Sequence, residues 1–133
     1  MSEKVGYLGE EWAQLAREKL VNQLDPAKMN GLSASMVNIY RNCPDGTDHS
    51  LLIDCREGRI SRFEVSDSEI PSAEFRIFGD YEVFAKITRG ELSSQKALMT
   101  GKLSLKGNMA KALRLSSLAD RINRILSEIP TNY

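Results

Sequence analysis

The sequence predicts an α+β domain, a five-stranded, mainly antiparallel sheet with helices covering one face. Three observations carry this prediction. Residues 34–65 read as three strands joined by links short enough to favour hairpins. Residues 73–118 then read as strand, helix, helix, strand, helix. Apolar stripes at helical spacing lie near both ends of the chain. A sheet and helices of this kind bury their apolar sides against one another. At 133 residues the chain suits one domain with one core.

In chain order, residues 1–9 read as a mobile tail. Glu10 and Glu11 suit the start of a helix, where negative charge meets the positive end of the dipole. Leu8, Trp12, Leu15, Ala16 and Leu20 make its apolar stripe, with Trp12 as a core anchor. The helix should run to about Gln23, before Asp25-Pro26 breaks it, and residues 26–32 form a connection. Strands are placed at about Ala34–Asn42, His49–Arg56 and Arg59–Val65, with Pro44-Asp45-Gly46 and Glu57-Gly58 as the turns between them.

A polar connection follows over residues 66–71. Ala73, Phe75 and Ile77 then alternate with Glu74 and Arg76, as in a half-buried strand. Gly79-Asp80 is expected to stop that strand, with Asp80 capping the next helix. Tyr81, Phe84 and Ala85 share one side of that helix, and Gly90 ends it. Ser93 or Ser94 caps a short helix that Gly101 closes. Lys102–Lys106 alternates as the fifth strand, and Gly107-Asn108 leads into a last helix over Met109–Glu128. Its broad stripe is Ala112, Leu115, Ala119, Ile122, Leu126 and Ile129, flanked by Leu118 and Ile125.

No apolar run approaches the ~20 residues that cross a bilayer. The start MSEKVGYLGEEW is acidic and lacks the apolar core of a secretory signal, so a cytoplasmic location is expected. Cys43 and Cys55 suit a reducing compartment rather than a disulfide framework. One histidine and two cysteines without C-x-x-C spacing fall short of zinc-site patterns, so neither metal nor cofactor is expected. With 18 basic and 18 acidic residues there is no overall electrostatic drive toward nucleic acid. The charge is uneven, however: residues 1–85 carry 9 Lys/Arg and 15 Asp/Glu, and residues 86–133 carry 9 and 3. The basic half suits anionic headgroups; equally, the two halves attract each other within the fold.

Catalytic patterns are weak. His49 reads as a surface residue at a strand end, with Cys55 too far along the same strand to touch it. Asp45, Asp48, Asp54, Glu57, Glu64, Asp67 and Glu69 fall in turns or on polar strand positions, without the spacing of an acid–base pair. The run from Gly101 to Gly107 lacks the order of a phosphate-binding loop.

The segment FRIFGDYEVFAKITRGELSSQKALMTGKLSLKGNMAKALRL resembles the hallmark region of the sterol carrier protein 2 family. The matching positions include Gly90, Leu92, Ala97, Gly101, Lys102, Leu103, Gly107 and Asn108; the family often has Asp at the last of these. The resemblance implies an apolar tunnel between sheet and helices, and lipid binding without catalysis. The chain's last residues lack the Ala/Ser-Lys-Leu peroxisomal tripeptide that some eukaryotic members carry.

By the same resemblance, the tunnel draws its lining from Phe75, Ile77, Tyr81, Phe84, Leu98, Met99, Leu103, Leu105, Met109 and Leu113, which otherwise read as ordinary core. Met99 and Met109 are the pliable side chains that suit varied guests. Lys102, Lys106, Lys111 and Arg114 are candidates for contact with an anionic head. The expected partner is a sterol-like lipid, fatty acid, acyl-CoA or isoprenoid quinone, with transient membrane-surface contact and no nucleic acid. The alternative is an accessory module whose groove takes a partner's helix or a second copy in a homodimer.

Overall fold

The computed structural model describes residues 4–25, 27–29, 31, 33–68 and 70–133, with the side chains of Ser117 and Leu118 left aside. The expected Asp25-Pro26 break, parts of the connection at 26–32, the role of Leu118 and the carboxylate of Glu69 therefore lie outside the described residues. The elements are β1 (Val5–Gly6), α1 (Glu10–Gln23), β2 (Ala34–Arg41), β3 (His49–Arg56), β4 (Arg59–Ser66), β5 (Phe75–Asp80), α2 (Tyr81–Thr88), α3 (Ser94–Met99), β6 (Ser104–Lys106), α4 (Met109–Leu126) and β7 (Thr131–Asn132).

Five of these strands form one sheet in the order β4-β3-β2-β5-β6. Within this sheet, among the described residues, β2 and β5 pair in parallel and the other neighbours are antiparallel. The expected α+β architecture is thus present. Glu57 and Gly58 join β3 to β4 with φ of 51° and 79°. Positive φ at both central residues is the twist-matched hairpin turn, and it sets Arg56 opposite Arg59.

Alternation then sorts β2. Met36, Asn38 and Tyr40 share one face, while Val37 and Ile39 share the other, and both of the latter are buried. On the first face lie α1, α2 and α4. Trp12, Ala13, Ala16 and Leu20 are the buried positions of α1; Leu15, expected in the stripe, is 38% exposed and Ala13 takes its place.

Four expectations are corrected. The tail is packed from Val5 onward: β1 pairs in parallel with β7, and Tyr7 sits among the rings of Trp12, Tyr40, Tyr81 and Tyr133. The β5 strand begins at Phe75 rather than Ala73 and runs through Gly79 to Asp80. Gly79 is there for space, since a Cβ would meet Leu103 Cδ2 at 2.4 Å. Asp80 stands at the N-cap of α2 without capping it, because its Oδ1 accepts a 2.8 Å hydrogen bond from Asn42 Nδ2 at the end of the parallel neighbour β2. Finally, β6 starts at Ser104 rather than Lys102, since Leu103 N–H donates instead to Ala97 C=O (3.1 Å).

Two other caps form as their residue types require. Ser93 accepts from Lys96 N–H, and Asn108 Oδ1 accepts from Lys111 N–H at 3.0 Å. Replacing Asn108 by Ala should cost about 1 kcal/mol, read as a lower urea midpoint with an unchanged slope.

Candidate functional site

Two cavities lie between the sheet and α4. The first offers about 60 Å³ to the centres of water molecules, and the second about 50 Å³. They share Met36, Ile77, Ser94, Leu103 and Ala119 in their walls, so they adjoin. A single water needs ~10–15 Å³ on this measure, so each has room for a few water-sized bodies.

The floor comes from strand alternation. Met36, Asn38 and Tyr40 of β2 stand beside Leu51 and Ile53 of β3 and Ile77 of β5, in a register that pairs Met36 with Ile53 and Asn38 with both Leu51 and Ile77. The roof is α4, and its contribution explains the space. Along the second cavity α4 presents Ala112, Ser116 and Ala119 beside the longer Leu115, and α3 adds Ser94. Short side chains opposite Met36 and Ile77 leave room that Leu or Phe would fill.

The two cavities differ in chemistry. The second is lined by Met36, Phe75, Ile77, Leu98, Leu103, Ala112, Leu115 and Ala119, with Ser94 and Ser116 as its hydroxyl-bearing residues. The first adds polar groups: Tyr7, Trp12, Asn38, Tyr40, Thr88 and Asn123. Several of these satisfy each other. Tyr7 OH lies 3.0 Å from Thr88 Oγ1, which donates to Asn123 Oδ1 (3.2 Å), and Asn123 Nδ2 donates to Ala119 C=O. No charged side chain is among the described residues lining either cavity. Burial keeps the phenols neutral: it pushes Tyr40 up to about 12 and raises Tyr7 well above the usual tyrosine value.

The profile of the SCP-2 sterol transfer family matches residues 13–120. The chain belongs to the SCP-2 sterol transfer family. With that membership comes apolar-lipid binding in its general sense. Solved structures agree on the fold. A crystal structure of sterol carrier protein 2 is 23% identical with a TM-score of 0.79, covering 92% of this chain and 98% of its own. A conserved hypothetical protein of Thermus thermophilus is 22% identical with a TM-score of 0.77, covering 98% and 94%. A sec-alkylsulfatase of Pseudomonas sp. matches over 74% of this chain but 15% of its own, at 21% identity and a TM-score of 0.53. No curated protein sequence matches.

Within this SCP-2 chain the residues singled out from sequence divide. Phe75, Ile77, Phe84, Leu98 and Leu103 line the cavities. Tyr81 is buried beside Tyr7 and faces a surface depression instead, while Leu105 and Leu113 are half-buried outside both cavities. Met99 and Met109 are 69% and 44% exposed, because they sit at the last turn of α3 and the first residue of α4. Of the four basic candidates, Lys111 is paired with Glu74 at 2.5 Å. The Lys106 ammonium lies over the Phe78 ring, on the strand face opposite Ile77. Lys102 and Arg114 are exposed.

Sequence reasoning missed Asn38, Thr88 and Asn123, placed Ala119 only in the apolar stripe of the last helix, and favoured a core anchor over a ligand platform for Trp12. The available signal was Asn38, a polar residue on the inward row of a strand apolar on both faces. It also missed that Cys43, Asp45 and His49 converge, with ligand-type atoms within 4.8 Å of one another. There Asp45 accepts from Thr47 N–H and lies 2.8 Å from His49 Nε2, which holds its carboxyl below the usual range. Burial and Asp45 raise the Cys43 thiol, which disfavours a thiolate nucleophile. No described helix is long and apolar enough to cross a membrane.

Proposed function

We propose that this protein is a reversible carrier of a single lipid, held between the sheet and α4 and released without covalent chemistry. The observation that supports it most is the pair of adjoining, charge-free cavities under a helix that contributes Ala112, Ser116 and Ala119 to their walls. In the closed form these voids hold part of an alkyl chain, so loading requires α4 to move outward about Gly107. Burying about fifteen methylenes at ~0.8 kcal/mol each yields roughly 12 kcal/mol gross. Ordering and immobilisation cost ~4–15 kcal/mol, so net affinity is modest and exchange with a bilayer follows. Phe75, Ile77, Phe84, Leu98 and Leu103 are the side chains we assign to the guest's apolar body. The exposed Met99 and Met109, near Lys102 and Arg114 in sequence, are where we place brief contact with an anionic bilayer in the cytoplasm.

Native mass spectrometry of the purified protein tests this. A bound lipid, or uptake of a fluorescent fatty acid, is expected. Ala119 borders both cavities, so Ala119→Phe should lower uptake about tenfold or more while circular dichroism stays unchanged. Uptake unaffected by Ala119→Phe would place the lipid elsewhere and sink the reading. Size exclusion distinguishes the accessory-module alternative, which predicts a homodimer whose apolar groove is closed to lipid.

A further inference from the structure

Two buried polar atoms among the described residues have no hydrogen-bond partner, Trp12 Nε1 and Asn38 Oδ1. Both side chains line the first cavity. Trp12 is 0% exposed, so water outside the fold does not serve it. Leaving such a group unpaired forfeits the hydrogen bond it made to water in the unfolded chain, and native proteins leave few of them. Two on side chains that line one small void call for an occupant.

The occupant's chemistry follows from the donors. An indole N–H only donates, and an amide oxygen only accepts. A hydroxyl answers both; a carbonyl answers Trp12. Asn38 Nδ2 donates to the Tyr40 hydroxyl (3.4 Å), which leaves the amide oxygen as the free end. A carboxylate finds no cation among the described residues lining the cavity to offset the loss of its hydration shell. The adjoining second cavity, walled by Phe75, Leu98 and Leu115, is the place for an apolar body.

We infer that Trp12 and Asn38 form a specificity-determining pair for a neutral lipid bearing a hydroxyl or carbonyl group, bound with that group inward and its hydrocarbon beneath α4. This rests on the lipid-carrier reading and sharpens it: the site discriminates by the charge of the head. The lysines considered from sequence play no part in the discrimination.

Trp12 is the sole tryptophan, so its fluorescence reports occupancy of the cavity directly. Hexadecanol and hexadecanoate have equal chain lengths and differ in the head. At pH 7.4 hexadecanol should bind about tenfold tighter and shift the Trp12 emission. Trp12→Phe keeps an aromatic ring and removes the N–H; Asn38→Leu keeps the size and removes the amide. Each should bring the ratio of the two affinities to within about threefold, read by displacement of an anilinonaphthalene dye. Circular dichroism and a Tm near the parent's establish that each variant is folded, and either one suffices for the test. Equal binding of both lipids by the parent protein overturns this inference and leaves the carrier reading standing. So does a preference that survives both substitutions, as when an internal water already satisfies the two atoms. Binding of neither lipid overturns both.

Discussion

Gly107→Ala is expected to destabilise the protein by about 2–6 kcal/mol, a large share of the 5–15 kcal/mol typical of a domain. Two effects add. Gly107 has φ +138°, a region that L side chains rarely adopt and that costs of order 1–3 kcal/mol. A Cβ there would also meet Phe75 Cδ1 at 2.8 Å and Glu74 C=O at 3.2 Å, and overpacking typically costs ~1–3 kcal/mol. Gly46→Ala is the control: its φ is +77° but nothing lies within 4 Å, so backbone strain alone should cost it about 1 kcal/mol. Urea unfolding of the two variants separates strain from collision. If they prove equally stable, the Phe75 ring has retreated into the second cavity without penalty, and the void is softer than its walls indicate.

Stability should also fall steeply between pH 10 and 12. Tyr40 is 1% exposed and pushed up to about 12, first by burial. Its pKa is higher in the folded than in the unfolded chain, so the folded state holds more protons above pH 10. Stability is full below the unfolded value near 10 and is lost as pH rises through the folded value. For Tyr40 alone this amounts to ~2–3 kcal/mol. Tyr7, raised in the same direction by burial, adds to it. Phenolate absorbance near 295 nm should therefore rise together with loss of tertiary signal, not before it. Tyr40→Phe should flatten the alkaline limb. Free titration of the tyrosines near pH 10 in folded protein would contradict the buried cluster around Tyr7.

The sheet was readable because its signals are local. β3 (His49–Arg56) and α1 (Glu10–Gln23) fall where alternation and helical spacing place them, and the two turns carry residues suited to their geometry. Failures arose where a distant partner decides. Gly79 looks like a stop, yet its smallness serves Leu103, 24 positions on, and the strand continues past it. Asp80 has the chemistry of a cap and spends it on Asn42. Val5–Gly6 is too short to show any period, so pairing with Thr131–Asn132 was invisible. The site was harder still, since a cavity is made by what is missing. Ala119 and Ser116 look like ordinary helix residues until Met36 is opposite them, and Met99 has a guest-friendly side chain turned to solvent.

The pairing of Val5–Gly6 with Thr131–Asn132 makes the described fold nearly circular. Tyr133 rests on Tyr7 with ring centroids 4.8 Å apart, and Tyr7 reaches Thr88 in the cavity wall. Tyr7 therefore joins the pairing of these two ends to the chamber wall. Loosening either end should therefore be felt in the chamber through the Tyr7 phenol, which touches both.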